Sequence, residues 1–98
     1  MLNNKLKPVN KQISIVIPVF NEEDNVAALH EEVKNVCVKN NYTYEIILIN
    51  DGSSDNTDAC IKKLSPVKYI ELRRNFGQTA AMDAGIKAAK YDYIITVD

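Results

Sequence analysis

The chain has 98 residues, of which 46% are hydrophobic and 26% are charged, and its formal net charge is −1. These values are typical of one globular domain or of part of one, and the near-neutral charge offers no electrostatic footprint for nucleic acid. No apolar run approaches the roughly 18 residues of a membrane span, and the N-terminus lacks the apolar core of a signal peptide. We therefore expect a cytoplasmic protein, either free or at the cytoplasmic face of the membrane.

The N-terminal segment, residues 1–12, carries lysines without hydrophobic periodicity, and we expect a flexible tail there. The domain itself should span residues 13–98. Its two cysteines, Cys37 and Cys60, have no metal-ligand spacing and are typical of small buried hydrophobes in a reducing compartment.

The first predicted strand, Ile13–Phe20, is almost entirely apolar and rich in β-branched residues. A continuous apolar run is typical of a strand covered on both faces, as in a parallel sheet. Pro18 lacks an N–H for the ladder, so it should lie at the end of the strand or at a bulge. A helix of about Asn25–Lys39 follows, with apolar residues at helical spacing.

The remaining pattern alternates strands with helices. Strand three alternates apolar and polar residues more than the others, so we expect it nearer an edge of the sheet. The order β-α-β-α-β-α-β predicts an α/β fold with a Rossmann-like, doubly wound and mostly parallel sheet. The predicted elements are strand Tyr44–Asn50, helix Thr57–Leu64, strand Val67–Leu72, helix Gln78–Lys90 and strand Asp92–Asp98.

Polar and acidic side chains follow three of these strands, at the point where each strand ends. They are Asn21–Asp24, Asn50–Asp55 and Asp98. Because the carboxyl ends of parallel strands lie along one edge of a sheet, where ligands bind, the three groups should meet at one crevice.

The Asp51-Gly52 pair is a strong signal for a hairpin turn, but cap and loop residues leading into a helix follow it instead of a strand. A calcium loop is excluded because Asn56 and Lys62 stand where glycine and glutamate are needed. A carboxylate just past a buried strand can cap the next helix, or it can accept hydrogen bonds from the flat edge of a nucleobase. In the second interpretation Gly52 lets a ligand come close and Ser53 adds a hydroxyl.

Two further segments allow two interpretations each. In Val19–Glu22, Asn21 and Glu22 can cap a helix and complement its dipole, or Phe20 can stack on a base while Glu22 reaches a ribose or base. The Arg73–Gly77 segment is either a solvated basic turn or a loop whose guanidinium groups offset the charge of a diphosphate.

Several classes of site are excluded. His30 is the only histidine and lies within a predicted helix, where a satisfied surface or boundary histidine is expected, so no Ser/His/Asp or Cys/His arrangement is apparent. The three glycines form neither a dinucleotide fingerprint nor a phosphate loop, which counts against dehydrogenases and ATPases.

Four segments together resemble the N-terminal half of a family 2 glycosyltransferase with the GT-A fold. They are Ile15–Glu23, Ile49–Thr57, Arg74–Gly77 and Ile94–Asp98. With Gln78-Thr79-Ala80-Ala81 after it, the third segment is most similar to the branch that glycosylates polyprenyl phosphates, the dolichol-phosphate mannose synthase-like branch.

The resemblance implies a role for each matching residue. Asp51 would accept a hydrogen bond from the base, Phe20 stands where the family often has tyrosine, and Asn50 stands where many relatives have a second aspartate. Asp98 would be the first carboxylate of the family's D-x-D element, which holds Mg²⁺ or Mn²⁺ on the donor diphosphate, and no catalytic base is assigned. The implied nucleotide-binding residues are Pro18, Phe20, Asn21, Glu22, Asn50, Asp51, Ser53, Arg74 and Gly77.

The resemblance also implies an activity. The parent protein would be an inverting, metal-dependent glycosyltransferase of cell-envelope polysaccharide synthesis, using a UDP- or GDP-linked sugar and an acceptor such as a polyprenyl phosphate. We expect this chain, truncated at its C-terminus, to bind the donor nucleotide only, to be inactive by itself and to self-associate. The alternative is a receiver-like signalling module with an acidic metal crevice, although the fifth strand and the lysine of such modules are missing.

Overall fold

The computed structural model describes residues 11–98, which form four strands and three helices. We number them in chain order. The elements are β1 (Gln12–Val19), α1 (Val26–Lys39), β2 (Thr43–Asn50), α2 (Thr57–Ile61), β3 (Lys68–Glu71), α3 (Gln78–Ala88) and β4 (Tyr93–Thr96).

The four strands form one parallel sheet in the order β3-β2-β1-β4. From β1 the chain moves outward through β2 to β3 and then returns to add β4 on the other side of β1. The point where the direction of winding reverses therefore lies between β1 and β4, which is where open α/β sheets place their ligands. The predicted doubly wound fold is confirmed.

Helices cover both faces of the sheet, which explains the continuous apolar runs of the central strands. On one face, α1 and α2 pack on residues that include Ile15, Ile17 and Leu48. On the other face, α3 packs on Val16, Ile47 and Ile49 through Ala81. A Cβ on Gly85 would lie 2.6 Å from the Cδ1 atom of Ile49, so α3 can approach this closely only without a side chain at that position.

The boundaries differ from the predictions by a few residues. β1 begins at Gln12 and ends at Val19, which leaves Phe20 outside the strand, and α2 ends at Ile61 instead of Leu64. Residues 1–10 of the predicted tail lie outside the described part, and the described Gln12 belongs to β1. β3 lies at an edge as predicted, and Pro18 is the penultimate residue of its strand.

The surroundings of His30 differ from the prediction. It is not a surface or boundary residue: it is 2% exposed, and its Nε2 atom lies 3.0 Å from the carbonyl oxygen of Pro66. A buried imidazole needs a hydrogen-bond partner, and this carbonyl supplies one between α1 and the loop before β3. The cysteines are free thiols, with Cys37 buried and Cys60 half-buried.

Within residues 11–98, none of the helices combines the length and the apolar character that crossing a bilayer requires.

Candidate functional site

A crevice opens at the carboxyl edge of the sheet, beside the junction of β1 and β4. Its main part has a volume of about 200 Å³. A smaller cleft of about 120 Å³ adjoins it on the α1 side and shares Pro18, Val19, Glu22 and Asp98 with it. Two backbone hydrogen bonds hold its walls together: Val97 N–H donates to Val16 O at 2.9 Å, and Asp51 N–H donates to Val19 O at 2.8 Å. The main part is lined by Pro18, Val19, Phe20, Glu22, Asp51, Gln78 and Asp98.

Five of the ten predicted site residues line this crevice, namely Pro18, Phe20, Glu22, Asp51 and Asp98. Asn21, Asn50, Ser53, Arg74 and Gly77 do not appear in its wall. The sequence prediction missed Gln78, although a signal was present: it opens a helix that follows a parallel strand, and such helix starts lie at the same edge as the strand ends.

The Asp51 carboxylate is buried, with 3% of the residue exposed, and it accepts hydrogen bonds from the Arg73–Gly77 loop. Its Oδ1 accepts from Phe76 N–H at 2.8 Å, and its Oδ2 accepts from Gly77 N–H and from Asn75 Nδ2, both at 3.1 Å. A carboxylate offers about four acceptor positions, so three are in use. The predicted contact with a base stays a prediction.

The absence of a side chain at Gly52 lets the backbone of Arg74 and Asn75 approach closely. Its φ is +67°, and a Cβ built on it would lie 2.7 Å from the Cα atom of Arg74. The sequence interpretation expected a ligand close to Gly52. In the structure the backbone of Arg74 and Asn75 occupies that position. Asp51 and Gly52 are thus the residues that the Arg73–Gly77 loop packs against. The chain after them leads into α2 and does not form a hairpin.

The Arg73–Gly77 loop presents a cation and an aromatic ring to solvent. The Arg74 guanidinium lies 4.5 Å from the centroid of the Phe76 ring, within the range of a cation–π contact. Phe76 is 46% exposed, as is Phe20 at the crevice. The loop ends at Gly77, the N-cap residue of α3, immediately before Gln78, which lines the crevice.

Asn21 and Ser53 link the loop after β1 to the loop after β2. Asn21 has a φ of +52°; its N–H donates to Ser53 Oγ at 2.9 Å, and its Oδ1 accepts from Ser54 N–H at 2.8 Å. A helix-capping role for Asn21 is excluded, since the N-cap residue of α1 is Asn25. The two residues therefore shape the rim of the crevice.

Asp55 stabilises the same pair of loops from the side of α2. Its Oδ1 accepts from Thr57 N–H at 2.9 Å, and its Oδ2 accepts from Glu23 N–H at 3.2 Å. Burial tends to raise the pKa of Asp55, but these hydrogen bonds and that of the Thr57 hydroxyl outweigh it and hold the pKa below its ordinary value. The N-cap residue of α2 is Asn56, the residue after Asp55.

Asn50 lies behind the crevice, 1% exposed, in a buried network. Its Nδ2 donates to the Tyr69 hydroxyl at 3.0 Å, its Oδ1 accepts from Ser53 N–H at 3.0 Å, and Tyr69 donates to Asp58 Oδ1 at 2.6 Å. Burial and then the hydrogen bond to Asp58 raise the pKa of Tyr69 to about 12. Because Tyr69 donates to Asp58, it needs a donor at position 50, which an amide provides and a carboxylate does not. Sequence reasoning missed Tyr69 and Asp58, and no local pattern points to them.

Asp98 and Glu22 are the two carboxylates at the junction of β1 and β4, where both line the main crevice and the adjoining cleft. Within residues 11–98 there is no cluster of three or more acidic, histidine or cysteine side chains that could hold a metal ion. Mg²⁺ is usually held by one or two carboxylates together with substrate phosphates, so Asp98 fits a metal that a bound diphosphate helps to hold.

The chain is similar to enzymes whose names contain a polyprenyl phosphate. It is 42% identical over 92 residues to dodecaprenyl-phosphate galacturonate synthase of Rhizobium johnstonii, covering 89% of this chain and 27% of that protein. It is also 42% identical over 93 residues to undecaprenyl-phosphate 4-deoxy-4-formamido-L-arabinose transferase of Aeromonas hydrophila, covering 90% and 28%. The chain thus spans little more than a quarter of the length of these relatives.

Two solved structures share the fold. TarS residues 1–349 of S. aureus superposes with a TM-score of 0.71 at 22% identity, covering 89% of this chain and 27% of that one. The mannosyltransferase PcManGT of Pyrobaculum calidifontis, solved in complex with GDP-Man and Mn²⁺, superposes with a TM-score of 0.65 at 18% identity, covering 84% and 25%. At these identities the likeness concerns the fold, and it confirms the GT-A type.

The family described as Glycosyl transferase family 2 matches residues 14–98, nearly the whole of the chain and every strand that forms the crevice. The resemblance in the four sequence segments and the measured similarity to relatives agree with this match. The chain belongs to glycosyl transferase family 2.

Proposed function

We propose that this chain is the donor-binding part of an inverting glycosyltransferase that transfers a sugar from a nucleotide-diphosphate sugar to a polyprenyl phosphate. The observation that carries the proposal is the crevice at the β1–β4 junction, which brings Phe20, Glu22 and Asp98 together. An aromatic ring and carboxylates at a winding reversal suit a nucleotide.

The base and ribose end of the donor would lie against β1. Pro18 and Phe20 form an apolar wall, and the half-exposed Phe20 ring can stack on a base. Glu22 can accept hydrogen bonds from the ribose hydroxyls. Asn21 and Ser53 would act on the nucleotide indirectly, because their hydrogen bonds to each other's loops shape the rim.

The diphosphate end of the donor would lie toward Asp98, which would hold Mg²⁺ or Mn²⁺. When bound, such a metal would stabilise the negative charge of the departing nucleoside diphosphate. The exposed guanidinium of Arg74 can add positive charge on the α3 side. A protein of the same fold, PcManGT, was solved in complex with GDP-Man and Mn²⁺, which supports a nucleotide-sugar donor and a divalent metal for this chain.

The acceptor is proposed from the relatives, whose names specify dodecaprenyl and undecaprenyl phosphates. A phosphate oxygen is already anionic, so it can attack the anomeric carbon without a general base. The new bond forms on the face opposite the diphosphate, whose oxygen leaves with the bonding electron pair, and the configuration inverts. A lipid acceptor would place the whole enzyme at the cytoplasmic face of a membrane.

Two further proposals concern the chain by itself. We expect no sugar transfer by the 98 residues alone, because only one metal-binding carboxylate and no acceptor site are assigned to them. Its edge strand β4 exposes Tyr93 (63%) and Ile95 (47%), and exposed edges of this kind pair with other copies, so size-exclusion chromatography should show self-association. Elution as a monomer at high concentration would contradict that expectation.

Binding calorimetry tests the proposed function. We expect UDP or GDP, with Mg²⁺, to bind saturably and NAD not to bind. Replacing Phe20 with alanine should weaken binding by about tenfold, since stacking contributes roughly 1–3 kcal/mol per base. Val38→Ala, at a 61% exposed position on α1 outside the crevice, is the matched control and should bind as the parent chain does. Equal binding by the Phe20 variant would contradict the proposed pocket.

The receiver-like alternative has no structural support. A phosphoacceptor aspartate must be accessible to a phosphodonor, whereas Asp51 is buried beneath the Arg73–Gly77 loop and already accepts three hydrogen bonds from it.

A further inference from the structure

We propose that Thr57 is a positioning residue for Glu22: its buried hydroxyl fixes the main chain at Glu22 and so directs the Glu22 carboxylate toward the ribose of a bound nucleotide. Thr57 is the first residue of α2, and it does not itself line the crevice or the adjoining cleft. The consequence for the ribose rests on the proposed function, whereas the hold on Glu22 does not.

Three consecutive backbone N–H groups in the loop after β1 donate to side chains of residues 53–57. The pairs are Asn21 N–H with Ser53 Oγ at 2.9 Å, Glu22 N–H with Thr57 Oγ1 at 2.9 Å, and Glu23 N–H with Asp55 Oδ2 at 3.2 Å. The middle contact bears most directly on the site, because the Glu22 side chain lines both the crevice and the adjoining cleft.

The Thr57 hydroxyl has a defined orientation. The residue is 0% exposed, and its hydroxyl donates to Asp55 Oδ1. A hydroxyl has one donor and two acceptor positions, and an ionised carboxylate only accepts. The proton therefore points toward Asp55, and a lone pair is left for the Glu22 N–H. Serine at this position could form both hydrogen bonds, whereas valine has the branched shape of threonine and could form neither.

Glu22 is also held at its carbonyl group and at its carboxylate. Its carbonyl oxygen accepts from Asn25 N–H at 3.0 Å and from Val26 N–H at 2.9 Å. Its Oε1 accepts from Asn25 Nδ2 at 3.1 Å. These contacts connect Glu22 to the start of α1, whereas Thr57 connects it to α2. Without the Thr57 hydroxyl, Glu22 would lose its link to α2, and its carboxylate would no longer be fixed relative to that side of the crevice.

A residue that positions Glu22 and a residue that only stabilises the fold make different predictions. If Thr57 acts through Glu22, removing its hydroxyl reduces the preference for a nucleotide with ribose hydroxyls over its 2′,3′-dideoxy form, which lacks them. If Thr57 only stabilises the fold, both forms bind more weakly by the same factor. In a Glu22→Ala chain, which has no carboxylate to position, Thr57→Val should leave the preference unchanged.

Amide hydrogen exchange, followed by NMR, tests the hold on Glu22. In Thr57→Val the Glu22 N–H loses its acceptor, so its exchange should accelerate by about tenfold, and Thr57→Ser should return it close to the parent rate. Thr43→Val makes the same chemical change at the start of β2 and should leave exchange at Glu22 unchanged. Asp55→Asn removes the charge that orients the hydroxyl and should accelerate exchange less; it replaces Thr57→Val if that variant does not fold. Unchanged exchange at Glu22 in the variant measured would overturn the proposal.

Nucleotide titrations of the same chains test the positioning role. With Mg²⁺ present, the parent chain should bind UDP or GDP about tenfold more tightly than the 2′,3′-dideoxy form of the same nucleotide, because the dideoxy form cannot donate to the Glu22 carboxylate. Thr57→Val should reduce this ratio by about threefold or more, and Thr57→Ser should restore it.

Two outcomes of these titrations would overturn the positioning role. One is a parent chain that binds both forms equally, and the other is a ratio that stays at the parent value in Thr57→Val although exchange at Glu22 has accelerated. If the parent chain binds neither UDP nor GDP, the proposed function and the positioning role both fail, while the exchange data still decide whether Thr57 holds Glu22.

Discussion

Replacing Gly52 with alanine should be among the most disruptive single-methyl changes in this chain. Gly52 has a φ of +67°, and a Cβ there would lie 2.7 Å from the Cα atom of Arg74. Real Cβ atoms do not approach backbone this closely, and neither backbone segment is a flexible side-chain end that can swing away. The Arg74–Gly77 loop must therefore move off the Asp51 carboxylate.

The cost has two parts. The left-handed conformation costs an alanine about 1–2 kcal/mol relative to glycine. Overpacking against a fixed neighbour adds roughly 1–3 kcal/mol. The free energy of unfolding should fall by about 2–5 kcal/mol, a large share of the stability of a small domain.

Urea denaturation measures this fall, and Asn41 provides the control. Asn41 has a φ of +58° and is exposed, so the difference between Asn41→Gly and Asn41→Ala measures the conformational part without a collision. We expect Gly52→Ala to cost at least 1 kcal/mol more than that difference. A cost at Gly52 no larger than the glycine-to-alanine difference at position 41 would refute the close contact between Gly52 and the loop.

Two further predictions concern half-buried polar side chains outside the crevice, Tyr69 and Glu45. Tyr69→Phe should lower the free energy of unfolding by about 1–3 kcal/mol in urea denaturation, because it leaves the buried Asn50 N–H without an acceptor; an unchanged midpoint would contradict the network. Burial tends to raise the pKa of Glu45, but hydrogen bonds from Ser14 and the Lys90 backbone outweigh it and lower the pKa below 4.5, so the fold favours the carboxylate. The stabilisation is therefore present above pH 4.5 and is lost as the pH falls through the lowered pKa, and Glu45→Gln should remove this part of the acid sensitivity. If the free energy of unfolding falls equally in Glu45→Gln and in the unchanged chain as the pH is lowered, the prediction is contradicted.

The fold could be predicted because its signals are local. A continuous apolar run identified β1 as a buried parallel strand, and helical spacing identified α1. The crevice followed from the topology, since parallel strands end at one edge, and Phe20, Glu22 and Asp98 lie there as predicted.

What could not be predicted depends on contacts between distant segments. The sequence interpretation gave Asp51 a nucleobase or a helix start as its partner, whereas the contacts in the structure are with the loop at Arg74–Gly77, which lies more than twenty residues further along the chain. Likewise, nothing adjacent to His30 indicates that a carbonyl from the loop before β3 will satisfy it. The sequence shows that each of these residues can form hydrogen bonds or allow close packing. Which residue it contacts depends on the fold, which brings distant segments together.

A two-dimensional amide NMR titration of this chain tests the central claim, nucleotide binding at the β1–β4 crevice, most directly. UDP and GDP would be added in the presence of Mg²⁺, with NAD as the control. The proposal predicts saturable shifts confined to Val19–Glu22, Asn50–Ser53 and the residues around Gln78 and Asp98, and none with NAD. Shifts of equal size with NAD, or shifts centred on the distant end of α1 near Lys39, would contradict it.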